Sequence, residues 1–369
     1  MTKAQLRRFM NYPNELYRGN PNFIPSFYSD DLADWTPGKN PAFAYCEAKA
    51  FLAYRDGEIV GRIGAILSHK ANEKFGTHRM RFSQVDFIDD ADVSAALFAA
   101  VESWAREKGC TEVHGPLGFT DLDREGMLVE GFDRRSLFIT NYNHPYYPEH
   151  LERLGYHKDV DWIEYRITAP AAGSEDAERL HRLAQRILER KNLHVAQLRR
   201  KSEYRPYVRQ VFQLVNAAYA PLYGVVELSD EQINRYADKF IPLVNPEFAC
   251  FVMDEQENMV AFGVSLPDPS VALQACSGKL FPFGWYNVLH DMKHSDTLVM
   301  LLIAVRPDLQ TAGINAVILD HVCQSCIRHE IQFAETGPML ETNDKILAQW
   351  RKLDKEQHKR RRCFLKELD

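Results

Sequence analysis

The chain has no long apolar run. No stretch reaches the roughly 18–20 uninterrupted apolar residues that span a bilayer, so a membrane-crossing helix is excluded. It also has no apolar signal-peptide core. The opening MTKAQLRRFMNYPNELYRG is charged and amphipathic, and this leads us to expect a cytoplasmic location and no membrane partner. Nor is there an excess of basic charge. Lys and Arg total 45 against 51 Asp and Glu, a formal net charge of −6, which argues against a global footprint for nucleic acid. An anionic ligand must then be held locally, by backbone N–H groups or a few basic side chains. Metal patterns are scarce as well. The seven cysteines are scattered from Cys46 to Cys363, and an odd count suits reduced thiols. Cys323 and Cys326 form one CxxC in a helical stretch, with no second pair at metal spacing, so no metal is expected.

What is present suits two folded α/β domains. The chain has 369 residues, 45% hydrophobic and 26% charged, beyond the usual size of a single core. A helix through Leu16 and a proline-rich stretch from Pro21 to Pro41 lead into a hairpin, Phe51–Tyr54 and Ile59–Ile66, turning at Asp56-Gly57. A strand at Arg81–Ile88 and a helix at Val93–Lys108 follow. The helix is stopped by Gly109, and the short strand Thr111–His114 ends at Gly115-Pro116. A helix near Pro148–Leu154 and a strand at Asp161–Ile167 close the first half. The second half repeats this order: a hairpin (Phe248–Met253, Met259–Leu266), an apolar strand (Thr297–Val305) and a helix (Ala312–His329). Next come a short strand (Ile331–Glu335) ending at Gly337-Pro338, a helix (Asn343–Leu353) and a final strand (Arg362–Leu365). The small, flexible Pro170–Ser174 separates the halves. The expected division is 1–170, a linker with its helix at 171–192, and 193–369.

The segment that carries chemistry is Leu301–Leu319. An apolar strand ends at Val305-Arg306-Pro307. A short loop carries Gln310, Thr311 and Ala312, and a helix opens around Gly313, Ile314 and Asn315. The free N–H groups and dipole of a helix N-terminus favour a phosphate there, and glycine lets the backbone approach a diphosphate. The matching place in the first half holds Asp89, Asp90 and Asp92. These would repel a diphosphate and suit a helix N-terminus instead.

Val305-x-Pro307-x-x-Gln310-x-x-Gly313-x-Asn315 resembles the acetyl-CoA signature of the GNAT superfamily of acyl-CoA N-acyltransferases, departing from it at Asn315, where Gly or Ala is usual. The hairpin at Phe51–Ile63, Glu341–Asn343 and the basic ending His358–Phe364 also resemble bacterial tandem GNAT-like proteins. The resemblance implies two tandem GNAT-like domains, each a mixed twisted sheet flanked by helices. It further implies acetyl-CoA or another acyl-CoA as co-substrate and a small-molecule or peptide amine as acceptor. By the same resemblance Val305 offers backbone to the pantetheine arm. Gln310, Thr311, Ala312, Gly313, Ile314 and Asn315 surround the diphosphate, and Asn343 touches the cofactor.

Glu335, at the end of the strand after the cofactor helix, is the candidate base, and Glu341 a second candidate. Asn343 also reads as a helix cap, Glu341 as a helix-end carboxylate, and His114 as a hydrogen-bonded structural histidine. The superfamily's proton-donating tyrosine falls seven residues after the asparagine, where this chain has Trp350; Tyr219, Tyr223 and Tyr286 remain as candidates. The run Lys359–Arg362 reads as a solvated tail face or a grip for a phosphate or acidic partner. The loop holding Phe281, Phe283, Trp285 and Tyr286 reads as pocket lining or domain packing. Two further functions fit the same features: a non-catalytic ligand-binding or regulatory module, and aminoacyl transfer of the peptidoglycan-bridge type. The helix at 175–191 is short and mixed in charge for the latter.

Overall fold

A computed structural model describes residues 1–351 and 353–369. Its strands are β1 (Cys46–Arg55), β2 (Glu58–Ser68), β3 (Arg79–Phe87), β4 (Glu112–Gly115), β5 (Met127–Glu130), β6 (His157–Thr168), β7 (His194–Val195), β8 (Ala249–Met253), β9 (Met259–Pro267), β10 (Thr297–Val305), β11 (Phe333–Thr336), β12 (Met339–Leu340) and β13 (Lys355–Glu367). They form one mixed sheet in the order β1-β2-β3-β4-β13-β6-β11-β10-β9-β8-β7, with β5 beside β13 and β12 beside β6. Each half donates its closing strand to the other. β6 pairs with β11 of the second half, and β13 pairs with β4 of the first. The two exchanged strands then pair with each other, from Lys355↔Ile167 to Leu365↔His157. The sheet therefore runs unbroken across the chain boundary at 170–193.

Local chemistry explains the repeated units. The first hairpin turns at Asp56 and Gly57, both at positive φ, as a tight two-residue turn requires. The helix Ala91–Glu107 is N-capped by Asp90, whose carboxylate accepts the N–H groups of Asp92 and Val93 at 3.0 and 3.1 Å. Val93, Leu97, Val101 and Trp104 face the first core. In the second half the helix Asn315–Arg328 lies so close to β9 that a Cβ at Gly263 would sit 2.3 Å from Ile318.

Three sequence expectations need correction. The loop around Phe281–Tyr286 opens a helix, Gly284–His294, packed through Val288 and Met292. The glycine and prolines before it masked the i, i+4 spacing of that buried face. The final strand is far longer than Arg362–Leu365, because charged residues fill most of its positions. For the same reason the basic run is no solvated tail, since Lys359 is 1% and Arg361 0% exposed. Both reach the fully buried Glu164; Lys359 Nζ lies 3.4 Å from Oε2 and 3.1 Å from Glu335 Oε2. On the opposite face Arg360 and Arg362 hold Asp161 at 3.1 and 2.8 Å. Burial raises the Asp161 carboxyl, but Arg362, Lys158 and Arg360 overcome it and keep the group below its ordinary range. Buried charges persist only when paired in this way.

Candidate active site at a gap in the sheet

β10 and β11 pair only from Thr297↔Phe333 to Met300↔Thr336. The last bond is the Gly337 N–H donating to the Met300 carbonyl at 3.3 Å. The chain then turns away through Gly337-Pro338 while β10 continues to Val305, and the sheet opens. A β-bulge between Met300 and Leu302 bends β10 at the apex. Leu301, Leu302 and Ile303 beyond it are half-buried.

Cavities lie on both faces of this opening. One, of about 190 Å³, runs along Met300–Ile303 under the Asn315–Arg328 helix, with Ile318, Met339, Asn343 and Trp350 in its wall. The other, about 260 Å³, lies beneath the helices Arg205–Tyr219 and Asp230–Phe240 and is mostly apolar, walled by side chains such as Val208, Phe212, Phe240 and Phe251. Asp121, Glu125, Trp162, Tyr219, Leu301 and Leu302 line both, and so form the waist between them.

The two waist carboxyls come from the first half, on the loop between β4 and β5. Asp123 between them is structural: it accepts the Phe119 N–H at 2.8 Å and the Thr120 N–H at 3.2 Å. Among the described residues, neither Asp121 nor Glu125 receives a hydrogen bond or ion pair from another residue. Burial pushes Asp121 up to about 6. Burial, and then the nearby Asp121, push Glu125 well above its ordinary value. Two unpartnered carboxyls of unequal acidity at a passage suit general acid–base work. Sequence reading missed both. The signal available was the D-L-D-R-E run after Gly115-Pro116, but nothing in the sequence shows that this loop crosses to the other half.

The predicted cofactor turn stands at the open end of the gap. Val305 ends β10 and is buried. Gly313 has φ +80°, a conformation natural to glycine. The N–H groups of Thr311, Gly313, Ile314 and Asn315 meet no protein acceptor among the described residues, whereas the Ala312 N–H donates to Leu309. Gln310 folds back, its Nε2 donating to the Val305 carbonyl at 3.4 Å and its Oε1 accepting from Lys345 at 2.9 Å. One turn into the helix, Ile318 and Leu319 line the 190 Å³ cavity. Val305 and Gln310–Asn315 themselves line neither cavity; unpaired N–H groups of this kind at a helix start favour an anion. Asn343 caps the helix Asp344–Gln349, its Oδ1 accepting from the Ile346 N–H, and lines the same cavity.

The proposed bases lie elsewhere. Glu335 is locked to Lys359, with Arg166 at 3.8 Å, and lines neither cavity. Glu341 is bound by Lys158 and Arg360. Trp350 is buried with its indole N–H toward the Met339 sulfur. Of the tyrosines, Tyr219 is at the waist and donates to the Ile303 carbonyl at 2.9 Å; burial holds its hydroxyl protonated. Tyr223 is tied to Asp159 and, at 2.8 Å, to His114 Nδ1, beside Cys363. His114 is buried and pushed well below its ordinary value by desolvation. Tyr286 is 60% exposed and lines neither cavity.

This architecture is that of a GNAT-fold protein with two units in tandem. Over 99% of the chain it matches a tandem GNAT protein from the clavulanic acid biosynthesis pathway, covering 94% of that structure, with a TM-score of 0.53 and 13% identity. A GCN5-related N-acetyltransferase from Sphaerobacter thermophilus matches all of this chain and 94% of its own, with a TM-score of 0.52 and 12% identity. No family model matches the sequence. In sequence the chain is 28% identical to protein YghO of Escherichia coli, across its full length and 94% of the relative. It is also 28% identical to a bacterial ceramide synthase of Caulobacter vibrioides, over 79% of this chain and 75% of that one.

Proposed function

We propose that the chain transfers an acyl group from an acyl-CoA to an amine at the waist of the gap. The observation that carries this reading is the pair of unpartnered carboxyls, Asp121 and Glu125, at a passage joining two cavities through the sheet. One cavity leads to the diphosphate-binding turn and admits the thioester; the other admits the amine. Beyond Met300 the edge of β10 has lost β11, and its backbone, apart from the Ile303 carbonyl that Tyr219 occupies, is what an extended pantetheine arm would pair with. The amine nitrogen attacks the thioester carbonyl carbon, and the carbon–sulfur bond breaks. Asp121, mostly ionised at neutral pH, takes the proton from nitrogen. Glu125, kept protonated, gives one to the departing thiolate. Proton return from Asp121 to Glu125 resets the pair, leaving an amide and a free thiol.

The apolar wall of the larger cavity supports an amine or acyl group with a substantial hydrocarbon part. Ceramide formation, for which the Caulobacter relative is named, is N-acylation of such an amine. The test is calorimetry with acetyl-CoA and palmitoyl-CoA, followed by thiol release across amines of increasing chain length. We expect binding heat, and turnover that falls in Asp121→Asn with binding retained. No heat with either thioester overturns the reading. Trp350 in place of the superfamily's tyrosine favours a second reading, a binding module without catalysis. Heat without thiol release for any amine would select it.

A further inference from the structure

The segment Ser270–His294 shows an inverted surface. Of the ten large hydrophobic side chains exposed among the described residues, six lie here: Val271, Phe281, Phe283, Trp285, Tyr286 and Leu289. Phe281 is 87% and Phe283 75% exposed, in a folded segment whose inner residues Val288 and Met292 are buried. The outward side of the Gly284–His294 helix is aromatic along its length. Tyr286 and His290 lie 6.4 Å apart and His290 and His294 4.4 Å, while Trp285 stands edge-on to Tyr286 at 6.1 Å.

The charge of this segment also departs from the rest. In a chain of net −6, it carries Lys279 and Lys293 against a single carboxylate, Asp291. That carboxylate is engaged, accepting the Ala272 N–H at 2.9 Å. The inner face packs into a cluster that includes Ile139 and Leu301, both of which also line the larger cavity.

We propose that this surface, the Phe281–Phe283 turn and the outer side of the following helix, docks the protein on an anionic phospholipid bilayer. Trp, Tyr and Phe are the side chains that partition into the headgroup boundary, and an amphipathic helix lies flat there when cations flank its apolar side. Lys279 and Lys293 complement a negative lipid surface. The expectation of no membrane partner came from the absence of a spanning helix and of an apolar signal-peptide core, and neither reports on one local patch. The inference does not need the acyl-transfer reading, because docking is measured without substrate.

The test is flotation of the full-length chain with phosphatidylcholine vesicles, with and without phosphatidylglycerol. Binding is expected with the anionic vesicles and weakened by salt, since the lysine contribution is screened. Combined Phe281→Ser, Phe283→Ser and Trp285→Ser substitutions should lower the partition coefficient by about tenfold or more. Thermal unfolding should be nearly unchanged, because the removed rings are exposed. Lys279→Glu with Lys293→Glu should reduce binding to anionic vesicles alone. Failure of the wild type to float with either vesicle overturns the proposal, as does undiminished binding by the triple variant. So does a concentration-dependent dimer that the triple variant abolishes, which would make this face a protein contact.

Discussion

The molecule contains two gaps of the same design with opposite contents. In the first half β3 and β4 pair only from Arg79↔Glu112 to Arg81↔His114, and then part at Gly115-Pro116, as β10 and β11 part at Gly337-Pro338. That gap is filled by the protein itself. The Tyr147 hydroxyl accepts the Phe87 N–H at 2.8 Å, and Tyr146 donates to the Phe87 carbonyl at 2.6 Å. Tyr17 binds Asp86 at 2.8 Å, and Arg62 pairs with the same carboxylate at 2.7 Å. Only small cavities of about 40 and 70 Å³ remain beside it. In the second half the comparable edge keeps about 190 and 260 Å³ on its two faces. Divergent strands make a site available; the side chains that enter decide whether it is used.

Substitutions in the two gaps should therefore fail in different ways. The largest effect is expected at the open gap, where Asp121→Asn should lower kcat about 10²–10⁴-fold with thermal stability retained. At the filled gap, Asp86→Asn strands the buried Arg62 and should cost about 3–5 kcal/mol in urea unfolding, with kcat of the folded fraction unchanged. A kcat loss there as large as that of Asp121→Asn would erase the distinction. Gly313→Glu, which places a carboxylate at the turn and a side chain at φ +80°, should weaken acyl-CoA binding by about tenfold or more in calorimetry.

The smallest effect sharpens the comparison through pH. The raised carboxyls Asp121 and Glu125 hold protons in the folded state that the unfolded chain releases near pH 4. Their stability contribution is thus intact in acid and lost as pH rises through the folded values, for Asp121 about 6. Glu125→Gln should raise stability at pH 8 and change it little at pH 4. Equal gains at both pH values would contradict an unpaired acid raised by its surroundings. On the activity side, the acidic limb of kcat/KM should fall near pH 6 and move in Glu125→Gln, as it reports Asp121.

The tandem repeat was legible because hydrophobic periodicity and the Gly-Pro stops are local signals. The Val305–Asn315 turn was legible because its geometry is set by adjacent residues. Asp121 and Glu125 were not, since their importance arises from a loop of one half reaching the other. Glu335 looked catalytic from its place at a strand end, yet Lys359, 24 residues later, neutralises it. The buried Lys359–Arg362 run defeated composition outright: charges inside a sheet read as surface until Glu164 and Asp161 are brought opposite them.

The exchange of β6 and β13 has a consequence for biosynthesis. As the polypeptide leaves the ribosome, β4 emerges more than 200 residues ahead of the strand that will flank it, Lys355–Glu367. Until then the first half carries an unsatisfied edge, and so does β6, whose partners β11 and β13 are also still to come. Such late, distant pairing slows folding and exposes the nascent chain to aggregation. Neither half would then make a sound expression fragment, and a cut near residue 170 would strand two edges rather than release two proteins.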